Sequence, residues 1–105
     1  MILNRIAKLV ASDEVRISAH GYDELAEDDL SVRDILDGVK SAVAVEEYPE
    51  FPKGQSVLAL QQDGSGNPVH VVWGIPKGRD TPAVLITAYR PSTTRWDSTF
   101  LRRLK

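Results

Sequence analysis

The most suggestive chemistry lies near the C-terminal end, in Thr87, Tyr89, Arg90, Arg95, Trp96, Arg102 and Arg103. Arginine presents a planar fork of donors that matches phosphate. Tyr89 and Trp96 offer faces on which a base or a guanidinium can stack. RNA cleavage without a metal needs a base to take the 2′-hydroxyl proton and cationic donors for the charge that grows on phosphate. It also needs an acid for the leaving oxygen. His70 or His20 could act as the base, Arg90 or Arg95 as the cation and Tyr89 as the acid. Arg95, Trp96, Arg102 and Arg103 would then hold the RNA. The competing reading packs Trp96 on the core and pairs the arginines with acids of the first half.

His20 and His70 are the only two histidines. His20 stands at the expected start of a helix, close to Asp23 and Glu24, so it serves either as a general base or as a packed helix start. His70 lies mid-strand among apolar residues, where a hydrogen-bonded core histidine is the competing reading. The chain has no cysteine, no His-x-x-x-His pair and no acidic calcium-type loop, so no metal site is expected. Gly64-Ser65-Gly66 is too short to cradle phosphate and has no P-loop lysine after it; it reads as a hairpin turn. No serine stands in a Gly-x-Ser-x-Gly elbow, and no cofactor is called for.

These residues must be positioned by a small fold. Ile2, Ile6, Leu9 and Val10 recur at helical spacing, which predicts a helix over 2–11. A second helix is expected over 19–29. Ser31 with Asp34 resembles an N-cap and weak capping box for a third, with Ile35, Leu36 and Val39 as its buried stripe. Val15 to Ser18 reads as an edge strand or an extended link. Strands are expected over 42–48, 55–62, 69–75 and 83–89, with a strong turn at Asp63 to Pro68. Trp96 to Leu104 reads as a short terminal helix. Helices followed by about four strands on short loops predict an α+β domain, with two or three helices on one face of an antiparallel sheet. Strands 69–75 and 83–89 are apolar on both faces and should be central.

The chain has 105 residues, of which 42% are hydrophobic and 27% charged, enough for a single domain over residues 1–105. No apolar run approaches a membrane span, and Arg5 and Lys8 interrupt the N-terminal apolar stretch, so no signal peptide is expected. A cytoplasmic domain is the resulting expectation. The net charge of −2 argues against a surface that is basic throughout. It conceals an asymmetry: residues 1–52 sum to −7 and residues 53–105 to +5. Such a split suggests interaction surfaces, or two solvated faces that attract each other.

Six short motifs in order extend the reading: Ser18-Ala19-His20, Leu30 to Ile35, Glu47-Tyr48-Pro49, Pro68 to Trp73, Ile86 to Pro91, and Trp96. Together they resemble a bacterial family of small domains, the domain of unknown function numbered 4258. That family looks related to the small ribonuclease toxins RelE, BrnT and MqsR. The resemblance implies helices followed by an antiparallel sheet, an mRNA-cleaving activity and a small antitoxin partner. It also implies functional positions at His20, His70, Thr87, Tyr89, Arg90 and Trp96. Relatives often carry arginines one and two turns after the first histidine; here Glu24 and Asp28 occupy those places. A favourable phosphate contact there becomes a repulsive one. Two other expectations stay open: a non-catalytic protein-interaction module, and a homodimer formed through a sheet face that the terminal segment leaves uncovered.

Overall fold

The computed structural model describes residues 1–104. Three helices, α1 (Ile2–Ala11), α2 (Ala19–Glu27) and α3 (Val32–Gly38), precede most of the sheet. The strands are β1 (Val15–Ile17), β2 (Val43–Tyr48), β3 (Ser56–Gln62), β4 (Pro68–Gly74) and β5 (Ala83–Tyr89). The sheet order is β1-β5-β4-β3-β2. β2 to β5 form an antiparallel meander, as the short connections predict. The fold is therefore α+β, with one strand more than the four expected. The segment at 15–17 is the edge strand β1 and pairs parallel to β5, Val15 opposite Ala83 and Ile17 opposite Leu85. β4 and β5 are interior, as their two apolar faces require.

Strand alternation sorts the side chains. Val57, Ala59, Val69, Val71, Trp73 and Leu85 face the helices and are buried with Ile6, Leu25 and Ile35. One polar side chain crosses this core. Gln61 donates from Nε2 to the Ile35 carbonyl at 2.9 Å and accepts the Trp73 indole N–H at 2.8 Å. It thus pins α3 to the sheet centre while satisfying two buried groups.

α2 is seated by its first residues. The Ser18 hydroxyl accepts the Gly21 N–H as an N-cap and donates to the Ile86 carbonyl, both at 2.9 Å. Gly21 permits the close approach, since a Cβ there would stand 3.0 Å from the Leu85 carbonyl oxygen. At the far end Asp28 accepts the Arg90 N–H at 2.9 Å, so α2 runs alongside β5 from cap to cap. Asp28 thus has a structural role in joining α2 to the end of β5.

α3 starts at Ser31, whose hydroxyl accepts the Asp34 N–H at 3.0 Å. The reciprocal half of the capping box is not made. The Asp34 carboxylate instead accepts the Gly64 N–H at 3.0 Å and anchors the β3–β4 hairpin.

The C-terminal segment corrects the sequence reading, because 96–104 is not a helix. Arg95 to Leu104 fold back on themselves, with Trp96 bridging Arg103 and the Leu104 N–H bonded to the Arg95 carbonyl at 2.8 Å. Asp97 and Thr99 explain this. The Asp97 carboxylate takes the Thr99 N–H and hydroxyl at 3.1 and 2.7 Å, and Phe100 adopts a φ of +60°. Short polar side chains that bind their own backbone compete with helical hydrogen bonds. This terminal loop lies on the sheet face opposite the helices and covers part of it.

Replacing Gln61 by leucine should leave the Trp73 indole N–H and the Ile35 carbonyl without their partner. The expected loss is about 2 kcal/mol or more, read as a lower urea midpoint with an unchanged slope. A midpoint within error of the parent protein would show that the bridge contributes nothing net.

Candidate functional site

The open sheet face carries a polar cluster that three strands and the terminal loop build together. Glu46 and Tyr48 come from β2, two residues apart and so on one face, opposite Leu58 and Ser56 of β3. His70 of β4 stands opposite Tyr89 of β5. Trp96 and Arg103 arrive from the terminal loop.

His70 is fully buried, and both its nitrogens are engaged. Nε2 lies 2.8 Å from the Phe100 carbonyl and Nδ1 lies 3.1 Å from the Tyr89 hydroxyl. A carbonyl only accepts, so Nε2 carries the hydrogen and Nδ1 accepts from Tyr89. Tyr89 and Trp96 meet the imidazole edge-on, with ring centroids 5.3 and 4.4 Å away. Burial holds the His70 pKa below its ordinary value, although the Phe100 bond opposes this. The imidazole is neutral and joins β4, β5 and the terminal loop. The hydrogen-bonded core reading of His70 describes its environment.

Beside it, Arg103 makes a two-pronged pair with Glu46, Nε at 2.8 Å and Nη2 at 3.0 Å. Its guanidinium carbon also stands 4.6 Å from the Trp96 ring centroid, a cation–π distance. The Tyr48 hydroxyl donates to the same carboxylate. The Arg103 and Tyr48 hydrogen bonds hold the Glu46 pKa below the usual carboxylate value. Burial raises both phenols, with the Glu46 bond adding to the effect at Tyr48.

The structure brings together four of the eight sequence candidates: His70, Tyr89, Trp96 and Arg103. Arg90 points instead to Asp63 at 3.0 Å, beside the β3–β4 turn. Arg95 and Arg102 are exposed and make no ion pair among the described residues. Thr87 is half-buried on β5. Glu46 and Tyr48 were missed. Their signal is the alternation of β2, where a carboxylate and a phenol share a face, and it points to a site only once Arg103 is seen to reach them.

His20 lies elsewhere, at the other end of the same face. Its Nε2 is 3.4 Å from Glu24, one helical turn on. It lines a groove of about 430 Å3 with Arg16, Phe51, Lys53, Gly74 and Ile86 among others. Among the described residues, no group of three or more His, Cys, Asp or Glu side chains could hold a metal ion. No helix there is long and apolar enough to cross a membrane.

The lowered His70 pKa fixes a pH dependence. The unfolded chain takes up a proton near pH 6.5 that the folded chain refuses. Stability from this site is therefore complete above that pH and declines as pH falls toward the folded value. Urea midpoints should drop between pH 7.5 and 5.5 in the parent protein. His70→Gln keeps a donor for Phe100, should lose about 1–3 kcal/mol at pH 7.5 and should flatten that pH slope. A variant with the parent's slope would assign the slope to another group.

Comparison with known proteins bears on the same residues. No curated protein and no solved structure matches the chain significantly. Residues 17–90 match a family profile described as Domain of unknown function (DUF4258). The matched span runs from the end of β1 to the residue after β5. It contains Glu46, Tyr48, His70 and Tyr89, whereas Trp96 and Arg103 lie beyond it. With more than half of its length inside that match, the chain belongs to the DUF4258 family.

Proposed function

We propose that this protein is a metal-independent endoribonuclease of the toxin–antitoxin type, cleaving RNA on its open sheet face. The observation that carries the reading is the meeting on that face of Glu46, Arg103, Tyr48, Tyr89 and His70. An incoming phosphodiester competes with Glu46 for the Arg103 fork. The freed carboxylate loses the bond that most depresses its pKa and takes the 2′-hydroxyl proton. The 2′-oxygen then bonds to phosphorus while Arg103 meets the charge on the non-bridging oxygens. The bond from phosphorus to the 5′-oxygen breaks, and Tyr89 gives that oxygen its proton. The products are a 2′,3′-cyclic phosphate and a 5′-hydroxyl. Burial raises the Tyr89 pKa, so the phenol holds its proton at neutral pH. His70 orients Tyr89 and is a positioning residue. Glu46 thus takes the role of base for which the sequence offered His70 or His20. A small antitoxin partner belongs to the same reading and rests on the family resemblance.

A non-catalytic interaction module is the second reading. The observation favouring it is that Glu46 and Arg103 already satisfy one another in a two-pronged pair.

Purified protein incubated with end-labelled RNA in EDTA should release fragments ending in cyclic phosphate. Glu46→Gln should slow this by about 10²–10⁴-fold and Arg103→Met by about 10²–10³-fold. Both should keep urea midpoints near the parent's, because exposed ion pairs contribute about 0–1 kcal/mol. RNA left intact by the parent protein, or full cleavage by both variants, would sink the ribonuclease reading and leave the interaction module.

A further inference from the structure

The groove at the other end of the open face has a composition that the fold itself does not use. Its floor is apolar: Ile86 and its neighbour Val84 on β5, with Gly74 on β4. Gly74 lets the Ile86 side chain lie flat across β4, since a Cβ there would come within 2.9 Å of it. One wall is Phe51, a large aromatic ring left 48% exposed. Arg16 and Lys53 are exposed and line the same groove, and among the described residues neither has a carboxylate within 4 Å. The Lys77 N–H donates to the Lys53 carbonyl at 3.0 Å, which draws a second exposed lysine to this end of the sheet. Among the described residues no carboxylate lines the groove, and Glu24, the acid paired to its His20, stands 3.4 Å from that imidazole.

An exposed ring beside a flat apolar floor suits a planar aromatic ligand. Two unpaired cations in the same groove suit a ligand that also carries negative charge. A nucleotide has both properties. Its base must be unpaired, because a duplex keeps its base faces stacked inside. We infer that the groove is a subsite for an unpaired nucleotide of a single-stranded RNA, its base on Phe51 and its phosphates between Arg16 and Lys53. The assignment deepens the ribonuclease reading and rests on it for the choice of RNA. The geometry agrees: His70 and Gly74 are four residues apart on β4, about 13 Å at strand rise. An extended strand can therefore reach from the Glu46–Arg103 cluster to the groove along one face.

The test uses a ten-nucleotide RNA made non-cleavable by 2′-O-methylation, read by fluorescence anisotropy. The parent protein should bind this strand more tightly than the same sequence in a duplex. Phe51→Ala should weaken single-strand binding about 5- to 150-fold, the range for loss of one stacked base. Arg16→Gln and Lys53→Gln should each reduce the salt slope of log affinity by about 0.7. Phe51 is an exposed loop residue, and an unchanged urea midpoint will show that its variant folds. Equal affinity for duplex and single strand, or an unaltered affinity in Phe51→Ala, overturns the subsite. Phe51-dependent binding in a protein that cleaves no RNA upholds the subsite while the ribonuclease reading falls.

Discussion

A five-stranded sheet has two faces, and the three helices of this chain occupy one of them. The interior strands β4 and β5 are apolar on both, so the second face has to be closed or used. Both solutions are present. The terminal loop closes one end through Trp96 and the buried imidazole of His70. The other end stays open as the Phe51 groove. The cost of burying a histidine is met by giving each ring nitrogen a partner, and no buried side-chain nitrogen or oxygen among the described residues lacks one. The closed end of this face depends on that imidazole, since it brings Tyr89, Phe100 and Trp96 to one place.

The loop is attached almost wholly through side chains. Its own backbone bonds close within residues 92–104, and it meets the sheet through the Phe100 carbonyl, the Trp96 ring and the Arg103 fork. Arg103 serves two partners at once, a carboxylate and an aromatic face. Its exposed fork is one of three attachments, and the Phe100 carbonyl and the Trp96 ring hold the loop to His70 without it. Asp63 does similar work at the hairpin end of the sheet, close to the His70 row, closing its own turn through Ser65 and Asn67 while holding Arg90.

Much of the fold was legible because helical spacing, the alternation of strands and the Asp63 to Pro68 turn each leave a local signature. What escaped was non-local. Val15 to Ile17 is too short to declare its pairing, and only β5, far along the chain, makes it a strand. Asp34 resembles a capping-box residue, but a hairpin amide thirty positions away competes for it and wins. At the site, Tyr89 and His70 stood out by residue type. Glu46 did not, because its importance comes from Arg103 reaching it across 57 positions. The division of charge into an acidic first half and a basic second half was real in sequence. In space it is redistributed: Arg16 and Lys53, one from each half, line one groove, and Arg103 is neutralised by an acid of the first half.

The parallel edge has a consequence for the order in which the molecule assembles. The meander β2 to β5 is made of short-range pairings and can zip hairpin by hairpin. β1 and the start of α2 can dock only when β5 exists, as the Ser18 to Ile86 bond spanning 68 positions records. Closing so long a loop carries the larger entropic cost and yields three paired residues in return. Arg16 and His20 therefore reach the groove only through this long-range closure, and not through the hairpins of the meander. The groove is thus the one place on the face where the first twenty residues and the meander must be brought together, whereas the Glu46 end joins the meander to the terminal loop.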